Sequence, residues 1–87
     1  MKEKHNILGV HLTDRFTEAA LVQQLFTDFG RYIKTRLGLH EPDKADPSGI
    51  ILLEMLGPDE KVAELEQKLA GIEGVETNLM TFEHELG

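Results

Sequence analysis

The sequence predicts an α+β domain of βαββαβ plan, a four-stranded antiparallel sheet with two helices on one face. Three observations predict it. Apolar alternation with a period of two gives way twice to helical spacing. Clusters of turn formers separate the segments. The second half of the chain repeats the pattern of the first. The 87 residues fit one domain, 1–87. A chain of this size buries only about 60% of the surface its unfolded form exposes, so its core is thin.

From Ile7 to Thr13, the residues Leu8, Val10 and Leu12 alternate with Ile7, Gly9 and His11. The first set is uniformly apolar and is assigned to the helices; the second is mixed and is assigned outward. After Phe16 the period changes, and Val22, Leu25, Phe26 and Phe29 recur at helical spacing. Asp14 is placed as the N-cap of this helix, with a start at Thr17 as the alternative, and Gly30 as its left-handed stop. Arg31 to His40 reads as a second strand. Pro42, Asp43, Asp46, Pro47, Ser48 and Gly49 then form a polar break too long for a two-residue hairpin, expected to be a mobile loop.

Ile50 to Leu56 is the most apolar strand. Its near-continuous apolar run predicts a central strand buried on both faces, with Glu54 either turned outward or meeting a partner. Pro58 fits the first position of a second helix, and Asp59 and Glu60 suit the positive end of its dipole. Val62, Leu65, Leu69 and Ile72 make its buried stripe, and Glu64 and Lys68 an i,i+4 pair on the wet face. Gly71 and Gly74 end it. Val75 to Glu83 is half polar and is assigned to an edge.

A shift of about 44 residues places Ile7 on Ile51, Leu8 on Leu52, Leu12 on Leu56 and Ala19 on Ala63. It also places Leu21 on Leu65, Leu25 on Leu69 and Gly30 on Gly74. Each half is strand, helix, strand, and two such halves intertwine with each first strand central. The sheet face away from the helices is then bare. Ile7, Gly9 and His11 are assigned to it, together with part of the row Ile51, Leu53 and Met55. An apolar face of that width needs a cover, and a second copy of the chain is the expected one, these six residues forming the oligomer interface.

The net charge of −7 repels phosphate backbones. The nine Lys and Arg are scattered, Arg31, Lys34 and Arg36 being the tightest group, so direct nucleic-acid binding is not expected. No apolar run, Ile50 to Leu53 included, is long enough to span a bilayer, and no secretory signal is read in Met1-Lys2-Glu3-Lys4. Cysteine is absent, which removes disulfides, thiolate metal sites and cysteine nucleophiles. The cytoplasm is the default location.

Chemistry is sparse. If Ile7 pairs with Phe82, His5 falls near His84; two imidazoles make a weak metal site, so no metal is expected. Ser48 is the one serine and lacks a Gly-x-Ser-x-Gly turn. Neither a Walker loop nor Gly-x-Gly-x-x-Gly occurs, and no carboxylate pair stands out as flanking a pocket. An enzyme is not expected, and no cofactor is implied. The ligand-binding candidates sit at strand ends: Asp14 and Arg15 in the first strand-to-helix loop, and Arg36, Gly38 and His40 on the second strand, Arg36 and Gly38 sharing a face. An arginine there can clamp a carboxylate or phosphate in bidentate fashion; pairing with a local acidic residue is the competing use.

Three segments carry a family resemblance. Ile7-Leu8-Gly9-Val10-His11-Leu12-Thr13-Asp14-Arg15 and Gly30-Arg31-Tyr32-Ile33-Lys34-Thr35-Arg36-Leu37-Gly38 resemble the iron-only hydrogenase system regulators, and Leu65 to Val75 is similar to their second helix and its exit. The resemblance implies a ferredoxin-like fold of the ACT and nickel-regulator C-terminal type, assembled through its sheets, and a regulatory role. The chain departs from the family in its acidic last strand, with Glu76, Glu83 and Glu85, and in a longer segment from Glu41 to Gly49. The His-x-His and Cys of nickel-responsive regulators are absent, so their square-planar site is not built. The combined expectation is a non-enzymatic oligomeric regulatory or sensor domain that binds a small ligand or partner protein. The alternative is a structural module that docks onto a larger enzyme without a ligand.

Overall fold

The structure, a computed structural model, describes residues 2–39 and 45–86. Its elements run β1 (Lys2–Leu12), α1 (Arg15–Asp28), a 3₁₀ turn (Gly30–Tyr32), β2 (Ile33–Leu39), β3 (Gly49–Met55), α2 (Asp59–Ala70) and β4 (Val75–Glu85). The strands are antiparallel in the order β2-β3-β1-β4, with the first strand of each half in the centre. The half-polar β4 lies at an edge, as its composition predicts. With both helices on one side of the sheet, this is a ferredoxin-like α+β fold.

The core follows from the periodicities. Leu8, Val10 and Leu12 of β1 meet Val22, Phe26 and Phe29 from the first helical segment and Val62, Leu65 and Leu69 of α2. Burying one such side chain contributes about 1.5–3 kcal/mol. Asp14 caps α1, accepting from the backbone N–H groups of Phe16 and Thr17. Pro58 stands at the N-cap of α2, with Asp59 and Glu60 in its first turn, and Lys68 lies 3.7 Å from Glu64 on the wet face. Gly30 is not a left-handed stop. It opens the 3₁₀ turn, and among the described residues only Gly74 has a positive φ, of 87°.

The register of the sheet corrects the assignment of its outer face. Leu8 pairs with Leu53 and Val10 with Ile51, so Ile51, Leu53 and Met55 turn toward the helices. Leu53 and Met55 are core residues and Ile51 packs against them. Ile7, Gly9 and His11 do face outward, opposite Glu54, Leu52 and Ile50. The cause is the frame of the repeat. Burial aligns Leu8 with Ile51, Val10 with Leu53, Ala19 with Val62, Val22 with Leu65 and Phe26 with Leu69, one residue short of the shift read from the sequence. A one-residue slip in a strand exchanges its two faces. For the same reason β3 is central but not buried on both faces, since Ile50 and Leu52 lie on the side without helices.

β1 and β4 extend beyond the rest of the sheet. β3 pairs with β1 from Asn6 onward, whereas β4 pairs with it from Lys2. Residues 2–5 and 82–85 therefore form a two-stranded ribbon. Lys4 ties it to α2: its ammonium lies 2.6 Å from the Asp59 carboxylate, which also accepts from the Asn6 amide at 3.4 Å.

Two predictions follow from these contacts. The Gly74 carbonyl accepts from the Thr13 N–H at 3.0 Å and the Thr13 hydroxyl at 2.8 Å, joining the end of β1 to the start of β4. A Cβ at Gly74 would overlap the buried Glu18 carboxylate. Together with the left-handed backbone, Gly74→Ala should cost at least about 1–2 kcal/mol, read from the urea midpoint. The second concerns pH. The hydrogen bond from Lys4, then its charge, holds the Asp59 carboxyl below its ordinary value of 3.8. A depressed folded-state value means the stabilisation is complete above the unfolded value and fades as pH falls through the folded one. Asp59→Asn should therefore lower Tm near neutral pH, and the gap from the parent should close below pH 3.8.

Candidate functional site

A cleft of about 310 Å³ opens between the first turns of α1 and the adjoining ends of β2 and β3. Its apolar wall comes from Leu12, Phe16, Ala19, Val22, Ile50 and Ile51, and its polar rim from Arg15 and Gln23. The cleft exists because α1 does not cover β2. Every β2 residue after Ile33 is exposed. Gly38 lines the floor, and nothing lies within 4 Å of where its Cβ would stand. At the N-terminus of α1 the backbone also points donors toward the segment that precedes β3, since the Arg15 N–H reaches the Pro47 carbonyl at 2.9 Å.

Arg15 and Gly38 line this cleft, and Arg36 adjoins it. The Arg15 guanidinium donates to the carbonyls of Asp46 at 2.7 Å and Ser48 at 2.9 Å and lies 4.5 Å over the Phe16 ring. It clamps the segment before β3 against the start of α1. Arg36 donates to the Gln23 side-chain carbonyl at 2.9 Å and stacks 5.2 Å from the Phe26 ring centre. Arg36 and Gly38 share the inner face of β2, opposite Leu53 and Ile51.

Asp14 belongs elsewhere. Besides the two backbone donors it accepts from the Thr17 hydroxyl at 3.0 Å, and its own N–H donates to Glu18 at 3.2 Å. It is a reciprocally bonded helix cap beside a separate, shallow depression shared with Thr13, Thr17 and Gly74. His40 lies outside the described residues, as does part of the break from Glu41 to Gly49.

Asp46, whose carbonyl Arg15 holds, lies in the clamped segment before β3. Its carboxylate accepts from the Ser48 N–H at 2.9 Å. That bond, then the Ser48 hydroxyl, with the nearby charges of Arg15 and His11 adding, hold the Asp46 carboxyl below its usual range. Sequence reasoning missed Gln23 and Ala19. The signal was present: they stand four apart on α1, Gln23 directly after the buried Val22 and Ala19 three residues before it.

A second cluster lies on the ribbon. His5 and His84 are neighbours, but Ile7 pairs with Met80, so Phe82 faces His5 and His84 faces Glu3. The slip from the expected pairing is an even number of residues, so the two imidazoles keep the same face. Their Nε2 atoms are 3.1 Å apart. The sequence reading counted two ligands there and overlooked Glu3, which has the parity of His5 and lies directly across from His84.

No protein-family model matches the chain, and no curated protein matches it. Among solved structures, an uncharacterized protein of Thermotoga maritima is 28% identical, over 91% of this chain and 98% of that one, with a TM-score of 0.78. A nitrogen regulatory PII-like protein of Thiomonas intermedia K12, bound to ADP, AMP and bicarbonate, is 13% identical over 100% of this chain and 94% of its own, with a TM-score of 0.60. A dimeric ferredoxin-like protein from an uncultured marine organism is 7% identical over 99% and 97%, with a TM-score of 0.53. The last two likenesses establish the fold.

The clamp yields a direct prediction. Arg15→Ala removes two charge-assisted hydrogen bonds, each worth about 1.5–3 kcal/mol at most. Amide exchange at Asp46 and Ser48 should accelerate while that of the β1 core amides changes little.

Proposed function

We propose that the chain is a non-enzymatic regulatory domain of the cytoplasm that binds a small anionic metabolite in the α1–β2 cleft and assembles with copies of itself through its outer sheet face. The outer face carries this reading. Leu37 and Leu39 of β2 pair with Leu52 and Ile50 of β3 on the side without helices, and Ile7, Met80 and Phe82 continue the patch on β1 and β4. Leu37 is 54% exposed, and Met80 and Phe82 are each 55% exposed. A patch of this kind on so small a domain marks an association surface. Glu54 interrupts it, paired with Lys34 at 3.8 Å. A second copy is the favoured cover because a thin core gains most from added burial. The dimeric ferredoxin-like neighbour supports assembly of this architecture.

Ligand binding is supported by two arginines at a cleft whose floor lacks a side chain. The PII-like neighbour that binds ADP, AMP and bicarbonate supplies the first probes. The resemblance to iron-only hydrogenase system regulators supports a regulatory role, and membership in that family or a sister family is part of the proposal. Among the described residues no helix is long and apolar enough to cross a membrane. A second reading, a docking module without a ligand, is favoured by one observation: Arg15 and Arg36 already donate to protein oxygens.

Thermal shift and calorimetry with ADP, AMP and bicarbonate separate the two. Selective stabilisation that disappears in Gly38→Leu supports the cleft; that variant fills open space and should not lower Tm. No response to any of the three favours docking. Sedimentation tests assembly. The parent should sediment as a multimer and Leu52→Glu as a single chain, because Leu52 lies outward. A parent of single-chain mass removes the assembly proposal.

A further inference from the structure

We infer that Glu3, His5 and His84 form a surface site for a divalent transition-metal ion, with zinc as the ion to test. One donor atom from each lies within 4.8 Å of the others. The His5 and His84 Nε2 atoms are 3.1 Å apart, and Glu3 carboxylate oxygens lie 3.1 Å from His84 Nε2 and 3.9 Å from His5 Nε2. Zinc holds imidazole nitrogen at about 2.0–2.1 Å, so two nitrogens on one tetrahedral ion stand roughly 3.3 Å apart. The observed spacing is close to that bite before any ion is present.

The sheet builds this arrangement. Glu3 is the direct cross-strand partner of His84. His5 follows two residues along β1 on the same face, within the diagonal reach of cross-strand neighbours. The three side chains are therefore brought together by backbone pairing. The imidazole planes are within 5° of parallel. The terminal histidine torsion is broad, so both lone pairs can turn toward one ion at small cost.

Without an ion, the facing nitrogens form one hydrogen bond, one donating and the other accepting. A divalent ion takes the lone pairs of both, and the carboxylate offsets part of its charge. Two imidazoles and one carboxylate suit zinc, copper(II) or nickel far better than magnesium or calcium, which prefer all-oxygen sites. Three protein ligands leave a position open to solvent or to a further donor. The site also has a mechanical consequence. All three ligands sit on the ribbon that β3 does not reach, so the ion would staple the free ends of β1 and β4.

Calorimetric titration of the full chain with zinc chloride in a non-coordinating buffer tests this. One ion per chain with micromolar affinity is expected, undiminished by excess magnesium. His5→Ala and His84→Ala should each weaken it by more than the roughly tenfold that loss of even an outer-shell partner costs. Because the three side chains are roughly half-exposed and outside the core, the variants should keep the parent's circular dichroism. Amide exchange at residues 3–5 should slow on zinc addition in the parent and stay unchanged in the double variant. Absence of saturation up to millimolar zinc, or equal affinity in the parent and the His5→Ala, His84→Ala double variant, would overturn the assignment.

Discussion

The two faces of β1 govern this structure. β1 is the one strand that pairs with both β3 and β4, and its alternation decides which side of each neighbour meets the helices. Leu8, Val10 and Leu12 anchor the core, and their cross-strand partners follow them inward. Ile7, Gly9 and His11 turn outward and carry Ile50, Leu52 and Met80 with them. The apolar outer face thus follows from pairing with a strand whose other face is already committed. Its polar members behave likewise: Asn6, on the core side and nearly buried, accepts from the Thr81 hydroxyl at 2.8 Å and donates to Asp59.

The cleft arises from incomplete coverage. α1 buries Val22 and Phe26 over the centre of the sheet and leaves the β2 residues after Ile33 exposed. At that margin Gly38 presents no side chain and Arg36 lies along Phe26, so space remains where a larger residue would have closed it. Arg15 then fixes the opposite wall by holding the Asp46 and Ser48 carbonyls. Each arginine thereby has a structural role as well as a position suited to an anion. The regulatory reading needs both roles, and the docking reading needs only the structural one.

Much of the fold was legible in the sequence because its signals are local. The changes of period located both helices and all four strands, Asp14 and Pro58 marked the helix starts, and Val22, Phe26, Val62, Leu65 and Leu69 of the buried stripes were read from spacing, whereas the buried Glu18 was not and Leu25 and Ile72 are only partly covered. The candidate site was partly legible. Of the residues singled out at strand ends, Arg15 and Gly38 line one cleft and Arg36 adjoins it. Asp14 proved to be a cap whose partners are its own helix's N–H groups. The error at the outer face has one source. Ile50, Ile51, Leu52 and Leu53 are all apolar, so β3 contains no alternation from which to choose a face. A repeat aligned one residue too far looked as good as the correct one.

By itself the sequence determined the secondary elements, their order, the inward side of β1 and the buried sides of the helices. These depend on periodicities that neighbouring residues impose on one another. Only the tertiary structure decided which β3 residues face the helices, which partners hold Arg15, and that Glu3 joins His5 and His84. Those outcomes rest on registers between segments far apart in the chain. There, hydrogen bonds of the backbone ladder and packing against helices select one alignment among several that the residue pattern tolerates equally.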